Sequence, residues 1–390
     1  MSELTDDRRT RDQAWPALDG LARDLSLEVL IRGPLPRREL AAKFGVSAAT
    51  LTRTVAPLIA HGVLIELEEP LAGGLGRPAR LLDVPASTHR FVGIKLTGES
   101  LHGVLTDLRT GIVTSRTVAI ADLGPGRVAA QVAALVAELD PGRDATAVGI
   151  SFGGVSRDGR TVARAPFLGW SDVPLADLVE EATGLPVVLE NDLVALAGAE
   201  HWFGEGRTVA SFAVLTIGIG VGYGLVVHDR VVTSPDVGVG LVGHFPLDGQ
   251  GPRCPNGHHG CAEAMLTTTG ISSQVSVAHR RAVSYDEALA LAGDGDPVAL
   301  EVVTAAGHAL GRLIAAVANL AMPERIFLSG EGIELARVAW AAVQEGVQRD
   351  RDPAASPVDV VVQPYDSDQW ARGAAAIAIQ HHVLGPVATR

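Results

Sequence analysis

The chain has 390 residues, of which 47% are hydrophobic, and a net charge of −13. This length predicts two or three domains, and the composition suits globular cores rather than a disordered chain. The acidic balance excludes a protein whose whole surface binds nucleic acid. Residues 1–85 are nevertheless nearly neutral, with 11 basic and 12 acidic side chains, so any DNA contact is expected there.

Two features of the sequence predict the cellular compartment of the protein. The polar, charged residues 1–9 are unlike a secretory signal, and no run of eighteen uncharged apolar residues has the character of a membrane helix. We therefore expect a cytoplasmic protein with no membrane partner, in which its two cysteines stay reduced or bind metal.

Residues 15–85 have the pattern of a winged helix. Apolar residues at helical spacing predict helices over 18–31 and 37–44, and a third helix over 48–60 for which Ser47 is the expected N-cap. Two helices joined by a short glycine-containing turn have the spacing of a helix-turn-helix. The glycine-rich segment 73–80 between two short strands predicts a wing.

The third helix is expected to enter the major groove of DNA. Leu51, Val55 and Leu58 fall on its inward face, which leaves small and polar residues outside. Such a face can reach base edges and phosphates, and basic wing residues can reach phosphate or the minor groove. The alternative is a domain used only for protein contacts. The predicted DNA-binding residues are Ser47, Ala49, Thr50, Thr52, Arg53, Arg77 and Arg80.

The remaining chain, residues 88–390, predicts an α/β body. A β-hairpin followed by a third strand, a helix and a buried strand is expected between residues 91 and 152. Long apolar helices are expected later in the chain.

A loop near the middle of the chain has the composition of a zinc site. Cys254 and Cys261 lie seven residues apart in a Gly/Pro-rich segment, and His244 precedes Cys254 by ten residues. Thiolate and imidazole are the ligands that zinc prefers. The fourth ligand is His258, His259, Asn256 or water; the alternative is two unrelated buried thiols.

This loop resembles the zinc loop of the ROK family, which comprises repressors, open-reading-frame proteins and sugar kinases. Asn256 stands where the family pattern has its middle cysteine. The N-terminal segment is similar to the winged helix-turn-helix of ROK repressors. The resemblance implies a two-lobed actin/hexokinase-like (ribonuclease H-like) body, with lobes over residues 88–200 and 201–390, and a structural zinc ion. It also implies that a closing helix near residues 372–377 returns to the first lobe. The matching loop residues are His244, Cys254, Gly257, Gly260, Cys261 and Glu263.

Segments 165–175 and 189–192 resemble the sugar pocket of the family. Asp192 stands where active kinases have their base, and a carboxylate suits that task because it accepts a proton from a hydroxyl. Leu241 replaces a glutamate of the family pattern. Asn191 and Asp192 have an alternative role as caps of the helix that follows. The resemblance implies ligand binding by Gly153, Gly154, Asn191, Asp192, His244 and Glu263.

The nucleotide site is changed. Kinases of this family carry Asp-x-Gly-Gly-Thr in the first hairpin, where this chain has Lys95 and, at the last position, Glu99. A carboxylate there repels the phosphates of ATP. The glycine run 216–224 resembles the second phosphate loop of the family, although such runs are weak signals alone. We therefore expect neither ATP binding nor catalysis.

Together these features predict a sequence-specific transcriptional regulator. It binds operator DNA as a homodimer or homotetramer and senses a sugar or sugar derivative in its body. The alternative is an ATP-dependent sugar kinase with a fused DNA-binding domain. A third possibility is a scaffold that uses the winged helix for protein contacts.

Overall fold

A computed structural model describes residues 15–16, 18–68 and 80–385. The predicted wing residue Arg77 lies outside these ranges. The N-terminal unit packs three helices against a small sheet with strand order β1-β3-β2. The helices of the helix-turn-helix begin and end within one residue of their predicted bounds. The elements are α1 (Gly20–Arg32), β1 (Leu35–Pro36), α2 (Arg37–Lys43), α3 (Ala48–Ala60), β2 (Ile65–Glu68) and β3 (Arg80–Asp83).

The first lobe is a five-stranded sheet with order β11-β7-β4-β5-β6. Strands β4, β5 and β6 form an antiparallel meander. Strand β7 pairs in parallel with β4, and β11 pairs in parallel with β7. Its elements are β4 (Arg90–Leu96), β5 (Ser100–Thr106), β6 (Ile112–Ala119), α4 (Pro125–Leu139), β7 (Ala145–Phe152), β8 (Val155–Arg157), β9 (Thr161–Ala165), β10 (Trp170–Val173), α5 (Leu175–Thr183), β11 (Val187–Asn191) and α6 (Asp192–Phe203).

The second lobe repeats this topology in the order β14-β13-β12-β15-β16. Strands β12 to β14 are antiparallel, and β15 and β16 are parallel to β12. Its elements are β12 (Phe212–Ile217), β13 (Val221–Val227), β14 (Arg230–Val231), α7 (Ala262–Leu266), α8 (Thr268–His279), α9 (Tyr285–Gly293), α10 (Pro297–Leu320), β15 (Arg325–Ser329), α11 (Glu334–Val338), α12 (Trp340–Asp350) and β16 (Val360–Val362).

The closing helix α13 (Ser367–Leu384) packs against β4, β7 and α6 of the first lobe. Gly93 and Gly149 allow this close approach, because a Cβ at either position would overlap the backbone carbonyls of α13. The helix is longer than the six residues that the sequence predicted. Its alanine-rich face contacts the sheet closely but gives little hydrophobic contrast along the chain.

The core of the N-terminal unit continues into the first lobe. Leu25, Val29 and Leu82 of this unit belong to the same buried cluster as Phe91 of β4 and Ile379 of α13. The N-terminal unit is therefore packed onto the first lobe, beside the closing helix, rather than joined to it only by a linker.

One helix of the described residues, α10, is long and apolar enough to cross a bilayer by length and composition alone. It lies in the core of the second lobe, where its apolar side chains pack against α12 and the neighbouring helices. We therefore interpret α10 as a core helix of the second lobe.

Candidate ligand cleft, metal centre and DNA-binding face

An ion pair joins Lys95 and Asp192 in the cleft of the first lobe. Lys95 lies near the end of β4, and Asp192 is the first residue of α6. Lys95 Nζ donates to Asp192 Oδ2, and both side chains are largely buried. The ammonium also lies 4.8 Å from the ring centre of Trp370, within cation–π distance. The two residues are 97 positions apart, and the parallel β4–β7–β11 arrangement brings them together.

Asn191 is buried and uses most of its hydrogen-bonding groups within the chain. Its Oδ1 accepts from the backbone N–H groups of Leu193 and Val194, which caps α6, and its Nδ2 donates to Gly154 O at 2.9 Å. The second N–H of this amide has no acceptor among the described residues. The alternative role as a helix cap is therefore present in this structure.

Gly153 and Gly154 form the part of the cleft wall beside Asp192 and Asn191. A Cβ on Gly153 would lie 3.6 Å from both Asp192 Oδ2 and the ring of Phe167. Gly154 packs so tightly on β9 that a side chain would overlap the carbonyl of Arg164. A Cβ on Gly238, in the segment before His244, would overlap Gly154 O and crowd Asn191 Nδ2. This segment of the second lobe thus closes against the first-lobe residues of the cleft.

Four side chains of the central loop form a compact donor cluster. The nearest ligand atoms of His244, Cys254, His258 and Cys261 all lie within 4.8 Å of one another. Cys254 Sγ lies 3.6 Å from His258 Nδ1 and 3.9 Å from His244 Nδ1. Zn–S bonds of about 2.3 Å and Zn–N bonds of about 2.0–2.1 Å put tetrahedral sulfur and nitrogen ligands about 3.6 Å apart. The spacing therefore fits a tetrahedral Cys₂His₂ set.

The structure distinguishes the candidates for the fourth ligand. His258 belongs to the cluster, whereas His259 forms an antiparallel bridge with Arg253 and its Nδ1 lies 3.3 Å from Gly251 O. Asn256 Nδ2 lies 2.8 Å from His244 Nε2, on the side of the ring away from the thiols. Asn256 is thus a partner of His244 rather than a member of the donor set.

The protonation of the buried thiols depends on whether a metal ion is bound. Burial raises the pKa of the Cys261 thiol, and the neighbouring thiol of Cys254 adds to that shift. A metal ion reverses this preference because it binds the thiolate form. Glu263 Oε2 lies 3.2 Å from His244 Nδ1 and places a carboxylate beside the donor set. Among the described residues, no hydrogen bond or ion pair links Asp192 to either His244 or Glu263.

Helix α3 presents the face that the sequence predicted. Leu51, Val55 and Leu58 are buried. Ser47 Oγ accepts from the backbone N–H of Thr50 at 3.1 Å, so the predicted N-cap is confirmed. Four of the predicted contact residues on or before this helix are exposed and one, Thr50, is half-buried: Ser47, Ala49, Thr50, Thr52 and Arg53.

Arg80 has an internal partner. Its Nη1 donates to Glu66 Oε2 at 3.0 Å, and Arg37 donates to the same carboxylate at 2.5 Å. The hydrogen bond from Arg37 is the main reason that the pKa of Glu66 lies below its usual value. Glu66 thus holds two arginines at the end of the small sheet, next to the segment that leads into the predicted wing.

A family model described as ROK family matches residues 91–381. The chain belongs to the ROK family. The matched range begins at β4 and ends within α13, so it covers both lobes and leaves the N-terminal unit outside. The resemblance inferred from the zinc loop and the cleft motifs is confirmed.

Two relatives show what this ROK chain is similar to. It is 25% identical over 361 residues to the Escherichia coli DNA-binding transcriptional repressor Mlc, covering 88% of this chain and 89% of that protein. It is 32% identical over 272 residues to the Thermotoga maritima glucokinase, covering 65% of this chain and 86% of that enzyme. The relatives therefore include both a repressor and a kinase.

Two solved structures share the fold. A ROK family transcriptional regulator, described as a homolog of the E. coli MLC protein, superposes with a TM-score of 0.77 at 25% identity, over 93% of this chain and 97% of that one. A ROK family glucokinase from Streptomyces griseus, in complex with glucose and AMPPNP, gives a TM-score of 0.63 at 24% identity, over 74% of this chain and 98% of that one. The predicted two-lobed fold is confirmed.

Sequence reasoning missed two residues of this ROK chain. Trp370 has no motif around it, and only the return of α13 to the cleft brings its ring to Lys95. Arg109 lies in the β5–β6 turn, yet its guanidinium donates to the carbonyls of Val29 and Leu30 at the end of α1. It also binds Asp83 of β3 at 2.5 Å. No local signal marks contacts over nearly eighty residues.

Proposed function

We propose that this ROK protein is a sequence-specific DNA-binding transcriptional regulator whose body responds to a sugar or sugar derivative. The observation that carries the choice of a regulator over a kinase is the Lys95–Asp192 pair. A general base must be free to accept the hydroxyl proton of its substrate. In this structure the ammonium group of Lys95 occupies the place on that carboxylate that the substrate hydroxyl would need.

The DNA-binding role rests on α3. Its capped N-terminus and exposed outer face have the form of a recognition helix, and Mlc and the matching ROK regulator structure span this region of the chain. Binding to two half-sites requires two copies, so the regulator works as a homodimer or homotetramer. The form of α3 and the similarity to Mlc both support operator DNA as the partner.

Selection of binding sites from random DNA, followed by affinity measurements, tests this role. Arg53→Ala is expected to weaken binding to the selected site by about 5- to 150-fold, the effect of losing about 1–3 kcal/mol from one base contact. Arg23→Ala is the matched control, because it removes an exposed arginine from α1 of the same unit. Failure to enrich any motif, or equal affinity of both variants, contradicts the proposal.

The sugar role needs a variant whose structural effect is separated from its effect on ligand. Asn191→Ala removes the cap of α6 and the partner of Gly154 O, so it costs about 1 kcal/mol of stability besides any ligand contact. Ser284→Ala removes a comparable cap, that of α9, away from the cleft. Calorimetric titration with glucose, xylose and N-acetylglucosamine is expected to show weaker binding in Asn191→Ala only. Equal loss in both variants places the ligand elsewhere.

A continuous set of contacts connects the cleft to the winged helix. Helix α6 begins at the cleft and ends at Phe203, whose carbonyl accepts from Arg372 of α13. Arg372 also donates to Thr110, the neighbour of Arg109. Arg109 in turn holds the last carbonyls of α1. In our proposal, a sugar that changes the lobe angle moves α1 through these contacts, and by linkage DNA changes the affinity for sugar equally.

The Arg109→Met variant tests this route. It keeps the apolar part of the side chain and removes the hydrogen bonds to α1 and Asp83. We expect sugar and operator each to bind, while the effect of one on the affinity for the other falls towards onefold. Arg116→Met, an exposed arginine of β6, is the control. Unchanged coupling in Arg109→Met excludes this route.

The proposed regulator carries a structural zinc ion on His244, Cys254, His258 and Cys261. The ion would cross-link the loop and keep both thiols as thiolates. With His244 bound through Nδ1, its Nε2 would carry the proton. Asn256 Nδ2 lies 2.8 Å from Nε2, so rotation of the amide group by about 180° would place the Asn256 oxygen there as the acceptor. Asn256 then orients the ligand instead of replacing the missing cysteine.

Elemental analysis of purified variants tests the donor set. His258→Ala is expected to lose most of the zinc, and its neighbour His259→Ala is expected to keep one ion per chain. Equal zinc content in the two variants contradicts the assignment of His258. Absence of zinc from the unmodified protein contradicts the whole site.

A further inference from the structure

The second lobe has a glycine-rich turn at the tip of its first hairpin, between β12 and β13. Such turns bind phosphate groups elsewhere because their backbone N–H groups point outwards and no side chains obstruct the ligand. Here Gly218 N donates to Gly220 O at 2.9 Å, which closes the turn on itself. Ile219 N is the next donor along the turn.

A carboxylate from the same lobe already occupies this donor. Ile219 N donates to Glu331 Oε1 at 2.8 Å, although the two residues are 112 positions apart. The carboxylate lies so close to Gly218 that a Cβ there would overlap it. The absence of a side chain at position 218, which suits a phosphate, thus makes room for Glu331.

The backbone holds Glu331 in this position. Glu331 follows β15, which pairs in parallel with β12. Gly330 has φ +103°, a conformation that glycine adopts readily, and Gly332 N donates to Ile217 O at 2.8 Å. The segment after β15 is therefore tied to the last residue of β12, and the side chain between the two glycines points to the turn.

We propose that Glu331 is a specificity-determining residue that excludes nucleotide polyphosphates from this ROK cleft. It acts as an internal anion: it uses the backbone donor that a phosphate oxygen needs, and its charge repels the phosphate. This inference deepens the proposed function, on which it rests, by assigning to one residue the loss of nucleotide binding at the second turn.

Titration of the full-length protein with Mg–ADP, in the absence of DNA and sugar, tests the proposal. Glu331→Gly is expected to bind Mg–ADP at least about tenfold more tightly than the unmodified protein, the equivalent of one charge-assisted contact. Glu331→Gln, which keeps the size and removes the charge, is expected to lie between them. Glu324→Gln is the matched control, because the Glu324 carboxylate also accepts backbone N–H groups, those of Ala210 and Ser211, outside this turn.

Hydrogen exchange of the Ile219 amide provides a second measurement on the same proteins. Exchange is expected to accelerate in Glu331→Gly and to stay unchanged in Glu324→Gln. The proposal is overturned by unchanged exchange, or by faster exchange without a gain in Mg–ADP affinity. It is also overturned if the unmodified protein binds Mg–ADP as tightly as Glu331→Gly. None of these results depends on operator binding, so the regulator assignment can fail or stand separately.

Discussion

The two lobes share one strand order, and the tips of their first hairpins make an informative comparison. In the first lobe, the turn after β4 satisfies its own backbone: Thr97 Oγ1 accepts from the N–H groups of Glu99 and Ser100 at 3.3 and 2.9 Å. In the second lobe, the turn keeps its glycines and receives the carboxylate of Glu331 from a distant strand end. Backbone N–H groups of the two equivalent turns are therefore bound by two different acceptors, a hydroxyl of the turn itself and a distant carboxylate.

The difference shows which kind of change can be read from a sequence. Lys95 and Glu99 stand inside a recognisable motif, so their charges reveal the altered first turn directly. The second turn still has a glycine pattern that resembles a phosphate loop, and this weak signal does not reveal by itself whether a phosphate can bind. Only the parallel pairing of β12 with β15 shows that an anion from the chain lies there.

Among the variants that test this comparison, a change at Lys95, beside the first turn, is expected to alter stability most. Lys95→Met leaves the largely buried Asp192 carboxylate without its partner, so the free energy of unfolding should fall by about 3 kcal/mol. Urea denaturation measures this change. Arg160→Met, which breaks exposed pairs with Asp177 and Glu180, should cost less than about 1 kcal/mol. Equal losses in the two variants contradict the burial argument.

A smaller effect is expected at Thr97. Thr97→Val removes the hydroxyl that accepts two turn amides, so unfolding should require about 1 kcal/mol less free energy. Thr97→Ser keeps the hydroxyl and should remain close to the unmodified protein. If valine and serine behave alike in thermal unfolding, the hydroxyl does not hold the turn.

The smallest effect on stability is expected at the second turn. Glu331 is exposed, so Glu331→Gln should change the free energy of unfolding by less than about 0.5 kcal/mol. The same variant should nevertheless bind Mg–ADP better than the unmodified protein. A large loss of stability without any gain in nucleotide binding would make Glu331 a structural residue, and the two turns would no longer be comparable.

Much of the fold was predictable because its signals are local. The apolar spacing of α3, the cap at Ser47 and the apolar runs of the first-lobe strands all lie within short segments. Elements whose stability comes from distant contacts were harder to predict. Helix α13 forms on the first-lobe sheet through small residues, and β1 consists of two residues that form a strand only by pairing with β3.

The candidate site was predictable as a set of residues but not as a set of contacts. The sequence identified Lys95 and Asp192 separately. Their ion pair was not predictable, because only the folded sheet brings together two residues that lie 97 positions apart. His258 and His259 are neighbours of the same type, and only the folded loop selects His258 as the metal ligand candidate. No local sequence pattern predicts the contacts of Arg109 and Glu331, because their partners lie about eighty residues or more away.

The most direct test measures operator affinity and ADP release together, in the presence of ATP, Mg²⁺ and each sugar of the panel. The account predicts that one sugar changes operator affinity by about 5- to 150-fold, the usual range of allosteric coupling, while ADP release stays at background. Sugar-dependent ADP release that Asp192→Asn abolishes would contradict it, because Asp192 would then be a working base rather than the partner of Lys95.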